Sequence, residues 1–249
     1  MSDPVVLITG AGRGIGAACA LLAARQGYAV CVNYHVNQQA AEQLVRAIES
    51  AGGSALAVRA DVADEASVLT LFEQVDAHFG RLDALVNNAG ILAPQMRVEQ
   101  MDAARLNRLF ATNITGAFLC AREAVRRMST RYGGAGGAIV NLSSRAAQLG
   151  AAGEYVDYAA SKAALEAMTI GLAKEVAAEG IRVNGVRPGL IHTEIHASGG
   201  EAGRVERLQA SVPMGRGGEP AEVAAAVLWL LSAQASYTTG SFIDVSGGR

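Results

Sequence analysis

Charge of either sign is sparse and evenly balanced in this chain. Lys and Arg number 21 and Asp and Glu number 23 among 249 residues, which gives a formal net charge of −2. Lys and Arg form no run anywhere in the sequence. Nucleic acids and anionic membranes attract strongly basic surfaces, so the composition predicts that neither is the main partner.

Cysteine and long apolar runs are also scarce. Cys19, Cys31 and Cys120 each lie in an apolar stretch. Their odd number predicts buried thiols in a reducing compartment rather than a disulfide framework or a metal site. The longest candidate for a membrane span, residues 223–231, is far too short. Residues 1–4 carry neither a basic segment nor a cleavage signal, so we expect a cytoplasmic protein.

Short apolar runs alternate with helical patterns along the whole chain. Strands that are apolar throughout predict a parallel sheet buried on both faces. No Pro/Ser-rich linker divides the sequence, so residues 1–249 are predicted to form one doubly wound α/β domain of the Rossmann type. The predicted sheet has seven parallel strands with helices on both faces, and its strands cover residues 5–9, 27–33, 55–59, 82–87, 138–142, 181–187 and 242–245.

Residues 192–218 have no place in this alternation. The segment is rich in Gly and polar residues and follows the end of a strand, where open α/β sheets bind their ligands. It could be a plain connection. Because long loops without a role are uncommon, we expect a mobile substrate lid instead.

A glycine cluster, Gly10-Ala-Gly12-Arg13-Gly14-Ile15-Gly16, joins the first predicted strand to a helix. Glycines in this position allow a tight turn and close approach of a pyrophosphate to the free N–H groups of a helix N-terminus. The same glycines would also serve a simple strand-to-helix turn. Their place at the first strand–helix junction favours a nucleotide site.

Tyr158 and Lys162 are separated by one turn of a helix predicted over residues 154–179, so their side chains share a face. A nearby cation favours phenolate over phenol and lowers the pKa of a tyrosine toward the range of an acid/base catalyst. Such pairs also occur on ordinary solvated helix faces. Tyr155 is a weaker candidate, because an alanine stands where its lysine would be.

Six features taken together resemble the short-chain dehydrogenase/reductase (SDR) family. They are Thr9-Gly10 to Gly16, Asn87-Asn88-Ala89-Gly90, Asn113, Ser143-Ser144, Tyr158-x-x-x-Lys162 and Pro188-Gly189. They occur in that family's order and at close to its intervals, and the resemblance covers essentially the whole chain. Among its members, the chain looks close to bacterial oxidoreductases labelled glucose dehydrogenases by analogy.

The resemblance implies that NAD(P) lies along the carboxyl edge of the sheet. It assigns the pyrophosphate to the glycine cluster, the adenine to Asp61 and Val62, and the ribose region to Asn88. Asp61 also has a plain reading as a helix cap. The other implied cofactor contacts are Ala89, Gly90, Tyr158, Lys162, Pro188, Gly189, Ile191 and Thr193, with Ile191 and Thr193 at the carboxamide.

The choice between NADP and NAD follows from charge. Enzymes that use NAD place a carboxylate at the end of the second strand, where it would repel a 2′-phosphate. Here that strand ends in Asn33-Tyr34-His35 without an acid, and Arg13 offers a cation for a phosphate, although it could also be a solvated loop residue. We therefore expect NADP to be preferred, with NAD possible.

The resemblance implies a catalytic tetrad of Asn113, Ser144, Tyr158 and Lys162. Tyr158 is the expected acid/base, with its pKa lowered by Lys162 and the oxidised nicotinamide. Ser144 is expected to bond the substrate oxygen, with Ser143 as the alternative. Asn113 matches the family's asparagine that holds a water in a proton relay, but a buried helix amide could also be purely structural.

The predicted activity is the NADP-dependent interconversion of a small-molecule carbonyl and a secondary alcohol. A 3-oxoacyl-[acyl-carrier-protein] reductase and a glucose 1-dehydrogenase are alternatives within this class. An NADP-sensing regulator without turnover is the alternative outside it. No metal is expected, although His192 and His196 are spaced as a possible pair of zinc ligands. The resemblance also implies a homotetramer built on the helices that carry Asn113 and Tyr158.

Overall fold

The computed structural model describes residues 3–249 of the chain. Its seven-stranded sheet is parallel throughout and has the order β3-β2-β1-β4-β5-β6-β7, as the alternating pattern predicts. The strands are β1 Val5–Ile8, β2 Ala29–Tyr34, β3 Ala55–Arg59, β4 Ala84–Asn87, β5 Gly137–Leu142, β6 Ile181–Pro188 and β7 Phe242–Val245. The order reverses between β1 and β4, and a cleft is expected at the carboxyl ends of the strands there.

Both faces of the sheet are buried, and β1 shows why its residues are all apolar. Val6 and Ile8 pack into the core on one face, and Val5 and Leu7 pack into the core on the other. The helices of the chain are α1 Gly14–Arg25, α2 Gln38–Ser50, α3 Glu65–Phe79, α4 Ala103–Phe110, α5 Gly116–Met128, α6 Ala146–Leu149, α7 Val156–Val176, α8 Ile195–Ser198, α9 Arg204–Leu208 and α10 Pro220–Leu231.

Asp64, not Asp61, caps α3. The Asp64 carboxylate accepts a hydrogen bond of 3.0 Å from the backbone N–H of Ser67. Asp61 accepts one of 3.0 Å from the backbone N–H of Ala63 and so holds the turn before the helix. The carboxylate of Asp61 keeps its second oxygen for other partners at the edge of the sheet.

The sequence predicts one continuous helix over residues 105–132, and the structure corrects this prediction. α4 and α5 are joined by a π-helical turn, Ala111–Thr115, in which the N–H of Gly116 bonds the carbonyl of Ala111. Single π-turns insert one extra residue into a helix and frequently mark functional sites. Asn113 lies in this turn.

The segment predicted as a lid, residues 192–218, is folded in the structure. It contains α8, α9 and a 3₁₀ turn, Gln209–Ser211, and it returns to the sheet edge through a bridge between Ile191 and Gly218. Its mobility stays a prediction. Within residues 3–249, every helix is too short or too polar to cross a bilayer.

Candidate active site

A cleft of about 980 Å³ lies at the carboxyl ends of the central strands. Its walls come from the β1–α1 turn, the ends of β2, β3 and β4, the start of α7 and the lid. Nearly all of the residues predicted for the site line it: Gly10, Gly12, Arg13, Gly14, Ile15, Asn33, Tyr34, His35, Asp61, Val62, Asn88, Ala89, Gly90, Ser144, Tyr158, Lys162, Pro188, Gly189, Ile191 and Thr193.

The β1–α1 turn is shaped by its glycines. Gly10 and Gly14 have φ values of +61° and +54°, a region that other residues rarely adopt. A Cβ atom on Gly16 would lie 2.6 Å from the Asn88 amide nitrogen and 2.8 Å from the Gly10 carbonyl. Gly16 therefore lets this turn pack against β4, although it does not itself line the cleft.

The N-terminus of α1 is open toward the cleft. Its N-cap residue is Arg13, whose side chain makes no capping hydrogen bond, and no acidic residue lies in the first turn. The first backbone N–H groups of a helix lack partners within the helix and favour anions. The turn therefore fits the pyrophosphate of a dinucleotide cofactor.

The side chain of Asn33 is engaged by the chain itself, and its predicted contact with a 2′-phosphate stays a prediction. Its side chain is 2% exposed and accepts a hydrogen bond of 3.1 Å from the N–H of Gly10. Its amide donates to the carbonyl of Ala60 at 3.1 Å. Because successive side chains of a strand point to opposite faces, Asn33 points inward and ties the glycine turn to the end of β3.

Tyr34 and His35 do lie at the cleft, and an acid lies beside them. The Nε2 atom of His35 is 3.8 Å from the Asp61 carboxylate. The sequence predicts no acid at the end of β2, but the neighbouring strand β3 brings Asp61 there. Arg13 is exposed at the same end of the cleft.

The segment after β4 is fixed to the end of β1 by Thr9, for which the sequence predicts no role of its own. The hydroxyl of Thr9 accepts hydrogen bonds of 3.0 Å from the N–H groups of both Asn88 and Ala89. The amide of Asn88 donates to the carbonyls of Thr9 and Gly10, at 2.8 and 3.1 Å. These bonds place Asn88 and Ala89 against the glycine turn.

Ser144 and Tyr158 both line the cleft, and the Ser144 hydroxyl acts on the phenol of Tyr158 to lower its pKa. Ser143 points the other way and donates a hydrogen bond of 2.8 Å to Glu166. The structure therefore brings Ser144, and not its neighbour, to the tyrosine. Ser144 also accepts a hydrogen bond from the N–H of Ala146, which fixes its orientation.

The pKa of Tyr158 moves opposite to the prediction. Burial raises the pKa of its phenol to about 12, and the hydrogen bond from Ser144 offsets this only in part. Removal of the phenolate from water is the largest cause in the chain alone. The lowering expected from Lys162 together with the oxidised nicotinamide stays a prediction for the cofactor-bound enzyme, and the chain by itself keeps Tyr158 protonated at neutral pH.

Lys162 lies behind the tyrosine and is 4% exposed. Its Nζ donates a hydrogen bond of 2.7 Å to the carbonyl of Leu142 and lies 5.6 Å from the centre of the Tyr158 ring. Burial lowers the pKa of Lys162 to about 8. The lysine is therefore close to losing its charge in the physiological range.

Asn113 uses its amide to hold the chain beside the cleft. Its oxygen accepts from the N–H of Ile91 at 2.8 Å, and its nitrogen donates to the Ile91 carbonyl and to Ser161, at 3.0 and 3.1 Å. Both amide hydrogens are used within the chain, and these bonds fix the side chain of Asn113. Its role in a proton relay stays a prediction.

Thr193 lies over the glycine turn, where the resemblance places cofactor contacts. The Thr193 methyl is 3.3 Å from the position of a Cβ atom on Gly14. Pro188 and Gly189 are held at the end of β6, where the N–H of Gly189 bonds the carbonyl of Val245 at 2.9 Å. Gly189 could not carry a side chain, because its Cβ would lie 2.7 Å from the Cα of Ser246.

The sequence does not predict the ion pairs that organise the substrate side of the cleft. Arg105 of α4 and Asp157 of α7 form a buried pair of 2.7 Å, and the Asp157 carboxylate also accepts from the N–H of Tyr158 at 2.9 Å. Glu154 binds two arginines of the lid, Arg204 and Arg207. These partners are distant in sequence, so no spacing pattern signals them.

The histidines do not converge on a common point with other metal ligands. His196 has its Nε2 atom 2.9 Å from the carbonyl of Ile191, and burial lowers its pKa, so the ring is neutral at pH 7. His192 lies 3.9 Å from Glu206 at the surface. Residues 3–249 contain no group of three or more His, Cys, Asp or Glu that could hold a metal ion. Cys19, Cys31 and Cys120 are free and buried, as predicted.

The fold and the cleft define an α/β protein whose glycine turn fits a dinucleotide, and comparison with known proteins identifies its family. A family model described as Enoyl-(Acyl carrier protein) reductase matches residues 10–249. The chain belongs to the short-chain dehydrogenase/reductase family. It is an enzyme acting on CH–OH and C=O groups, and its family uses NAD(P).

Three similar proteins illustrate the match. "Uncharacterized oxidoreductase YgfF" of Escherichia coli (strain K12) is 58% identical over 245 residues, which cover 98% of this chain and 99% of that protein. "Cis-4-hydroxycyclohexanecarboxylate dehydrogenase" of Sinomonas cyclohexanicum is 40% identical over 247 residues, which cover 99% and 96%. A solved short-chain type dehydrogenase/reductase from Mycobacterium marinum superposes with a TM-score of 0.93 at 35% identity, covering 99% and 95%.

Proposed function

We propose that the chain interconverts a carbonyl and a secondary alcohol by hydride transfer, with NADP preferred and Tyr158 as the acid/base. The observation that carries this proposal is that Ser144, Tyr158 and Lys162 line the same cleft, with Lys162 buried and its Nζ 5.6 Å from the centre of the Tyr158 ring. When bound, the nicotinamide supplies or accepts the hydride. The residues of the chain orient the substrate and move the proton.

In the reducing direction, the carbonyl oxygen lies between the hydroxyls of Ser144 and Tyr158. Ser144 donates a hydrogen bond that stabilises the negative charge developing on this oxygen. Tyr158 gives up its phenolic proton as the alkoxide forms. The high pKa of Tyr158 keeps that proton in place until it is needed, so the chain is prepared for reduction at neutral pH.

Oxidation of the alcohol requires the opposite, since Tyr158 must first be deprotonated. The charge on Lys162 favours the phenolate, and this charge is lost as the pH rises past its pKa of about 8. We expect oxidation to accelerate as the pH rises because Tyr158 itself loses its proton, with a smaller gain above about pH 8 where Lys162 is neutral. Reduction does not require alkaline conditions.

The preference for NADP rests on Arg13, which is exposed at the open N-terminus of α1, and on His35 at the end of β2. The carboxylate of Asp61 weakens the preference for NADP, because it lies beside His35 and would repel a 2′-phosphate there. Arg13 is the more important of the two cationic groups, because a guanidinium pairs with a phosphate more strongly than an exposed histidine does. Steady-state KM values for NADPH and NADH decide the point, and a lower KM for NADH would contradict the proposal.

Tyr158→Phe tests the proposed role directly, with Tyr155→Phe as its matched control. Loss of the acid/base is expected to lower kcat by about 10²- to 10⁴-fold. Tyr155 donates a hydrogen bond of 3.2 Å to the Gly199 carbonyl of the lid. Its loss is expected to change kcat less than about tenfold. Both variants should bind NADPH, measured by fluorescence titration.

Equal turnover by wild type and Tyr158→Phe would refute the catalytic role of Tyr158. Binding of NADPH by a wild type that turns over no substrate of the panel below would favour an NADP sensor instead. Within the enzyme class, the description of the matching family model favours one alternative, a reductase of substrates carried on acyl carrier protein. Turnover of a panel containing β-ketoacyl thioesters, simple ketones and sugars separates this alternative from the proposal.

We further propose that the protein is cytoplasmic, since its thiols are free, and that it assembles as a homotetramer through α5 and α7. Phe118 on α5 and Ile170 on α7 are 51% and 42% exposed, which suits faces that pair with another copy. Light scattering measures the mass in solution, and a monomer would contradict this part of the proposal.

A further inference from the structure

Four charged side chains from the start of α7 and from the lid form one cluster, which we call the lid charge cluster: Glu154, Glu201, Arg204 and Arg207. Arg204 bonds Glu154 through one nitrogen and Glu201 through another, the latter at 2.9 Å. Arg207 bonds the same two carboxylates, at 3.2 Å to Glu154 and 2.9 Å to Glu201. Two carboxylates thus face two guanidinium groups, and their formal charges cancel.

The lid charge cluster is built into the wall of the cleft rather than spread on the surface. Arg204 is 9% exposed, and its guanidinium lies 4.9 Å from the centre of the Tyr155 ring. Of the four members, Glu154 and Arg204 line the cleft, whereas Glu201 and Arg207 close the cluster from behind. Glu154 lies just before the start of α7, and it lines the same cleft as Tyr158, the proposed catalytic group.

Glu154 is ionised in this setting. The hydrogen bond from Arg204 is the largest cause that lowers the pKa of Glu154, and Arg207 adds to it. The Arg204 guanidinium is therefore neutralised on both sides, by Glu154 within the cleft and by Glu201 behind it. A buried cation with two carboxylate partners has little attraction left for a third.

The rest of the substrate end is mostly apolar. Ile91, Leu92, Leu149 and Ile195 line it. Its other inward cation, Arg145, already pairs with Asp244 at 3.0 Å.

Three other charged groups at this end do not favour an anion either. His196 is neutral, and Glu194 adds a further carboxylate. Arg108 lines the cleft from an exposed position on α4, where water screens its charge.

From this arrangement we propose that Glu154 is a specificity residue that reserves the cleft for uncharged carbonyl compounds and their alcohols. Glu154 does so by occupying the Arg204 guanidinium that a substrate carboxylate would otherwise bind. The inference rests on the proposed function, because it assigns the substrate class of the same site. The enzyme thus takes substrates with an apolar body and no negative charge near the reacting carbonyl.

The test compares two ketones that differ in one charge, 4-oxocyclohexanecarboxylate and its methyl ester. Wild type is expected to reduce the ester with a kcat/KM about tenfold or more above that for the acid, the size of one charged hydrogen bond. In Glu154→Gln, Arg204 is no longer paired with a carboxylate in the cleft and attracts the carboxylate of the acid. The kcat/KM for the ester divided by that for the acid should therefore fall about tenfold.

Glu201→Gln is the matched control, since it removes the same charge from the same two arginines at a position outside the cleft. In that variant Arg204 keeps its ion pair with Glu154, so the ester-to-acid ratio of kcat/KM is expected to change less than in Glu154→Gln. Glu154→Asp retains the charge and should keep the preference for the ester. If Glu154→Gln does not fold, as judged by its melting curve, the wild-type ratio and that of Glu154→Asp still decide the question.

A wild type that prefers the acid, or a Glu154→Gln variant with the wild-type ratio, overturns the inference. These outcomes leave the proposed function intact, because both require turnover of a ketone. Failure of the proposed function is different: wild type would reduce neither ketone, or Tyr158→Phe would reduce them as fast as wild type.

Discussion

The two ends of the cleft are built in different ways. At the cofactor end, the shape comes from the backbone: glycines with positive φ, an uncapped helix N-terminus and two asparagines, Asn33 and Asn88, that bond it. At the substrate end, the shape comes from charged side chains that join distant segments, such as Arg105 with Asp157 and Glu154 with Arg204. The comparison teaches that a short local pattern can encode a generic cofactor site, whereas a particular substrate site needs the whole fold.

Arg105→Met gives the largest expected effect, because it breaks the buried charge pair of the substrate end. Asp157 is 2% exposed, and without Arg105 it would be a buried charge without its ionic partner. The free energy of unfolding is expected to fall by about 3–5 kcal/mol, measured by urea denaturation.

The double variant Arg105→Met, Asp157→Asn is the control, since it leaves no unpaired charge. It should be more stable than Arg105→Met alone. If Arg105→Met costs less than about 1 kcal/mol, the pair is not a structural determinant of this end and the comparison loses its clearest support.

Lys162 lies between the two ends of the cleft. Its replacement by Met is expected to have the next largest effect on stability, and this effect depends on pH. Burial lowers the pKa of Lys162 to about 8, from an ordinary value near 10.5. Between these values the unfolded chain binds more protons than the folded one, so stability rises with pH across this window. Relative to Lys162→Met, wild type should gain up to about 3 kcal/mol as the pH rises from 7 toward 10.

Urea denaturation of both proteins at several pH values measures this difference. A difference that does not vary with pH would show that Lys162 has an ordinary pKa in the folded chain. Lys162→Met should also lose activity, so the same variant separates the catalytic benefit of the buried lysine from its cost in stability at pH 7.

Gly16→Ala and Gly12→Ala test whether the shape of the cofactor end depends on the backbone geometry of the glycine turn. A Cβ on Gly16 would press against Asn88 and the Gly10 carbonyl, whereas one on Gly12 meets nothing closer than 3.9 Å. Gly16→Ala should lose about 1–3 kcal/mol of stability and weaken NADPH binding.

Gly12→Ala should stay within about 0.5 kcal/mol of wild type. Thermal melting and fluorescence titration with NADPH provide both readouts. Equal stability of the two variants would mean that the turn adapts to an added side chain, and the cofactor end would then not depend on its backbone geometry.

Arg13→Glu is expected to have the smallest effect, confined to cofactor choice. The variant should raise the KM for NADPH about tenfold and the KM for NADH less, because only NADPH carries the 2′-phosphate. Arg25→Glu, at the far end of α1 and outside the cleft, is the control and should change neither value. An equal rise for both cofactors would show that Arg13 contacts their common pyrophosphate instead.

Much of the cofactor end could be predicted from the sequence, because the signals are local. The glycine cluster follows a strand and opens a helix, and the alternation of apolar runs predicts the parallel sheet that positions it. Even here, the sequence did not reveal that the side chain of Asn33 bonds the carbonyl of Ala60, because Ala60 follows the neighbouring strand β3. Asp61 was not expected beside His35, because the two come from neighbouring strands.

The substrate end was largely hidden from the sequence. Glu154 and Arg204 lie far apart in the chain, so only the path of the lid brings them together. Nothing in the amino-acid composition of residues 105–132 distinguishes the π-turn that carries Asn113 from the surrounding helix. The spacing of Tyr158 and Lys162 correctly predicted their shared helix face, but the direction of the Tyr158 pKa depends on burial, which spacing does not reveal.

The most direct test of the central proposal follows the hydride itself. NADPH carrying deuterium at the nicotinamide C4 is mixed with methyl 4-oxocyclohexanecarboxylate and either wild type or Tyr158→Phe, and the alcohol is analysed by mass spectrometry. We predict deuterium in the alcohol formed by wild type, and about 10²- to 10⁴-fold slower labelling by Tyr158→Phe with NADPH binding retained. Equal labelling by both proteins would contradict the role of Tyr158, and no labelling of any ketone by wild type would contradict the proposed reaction.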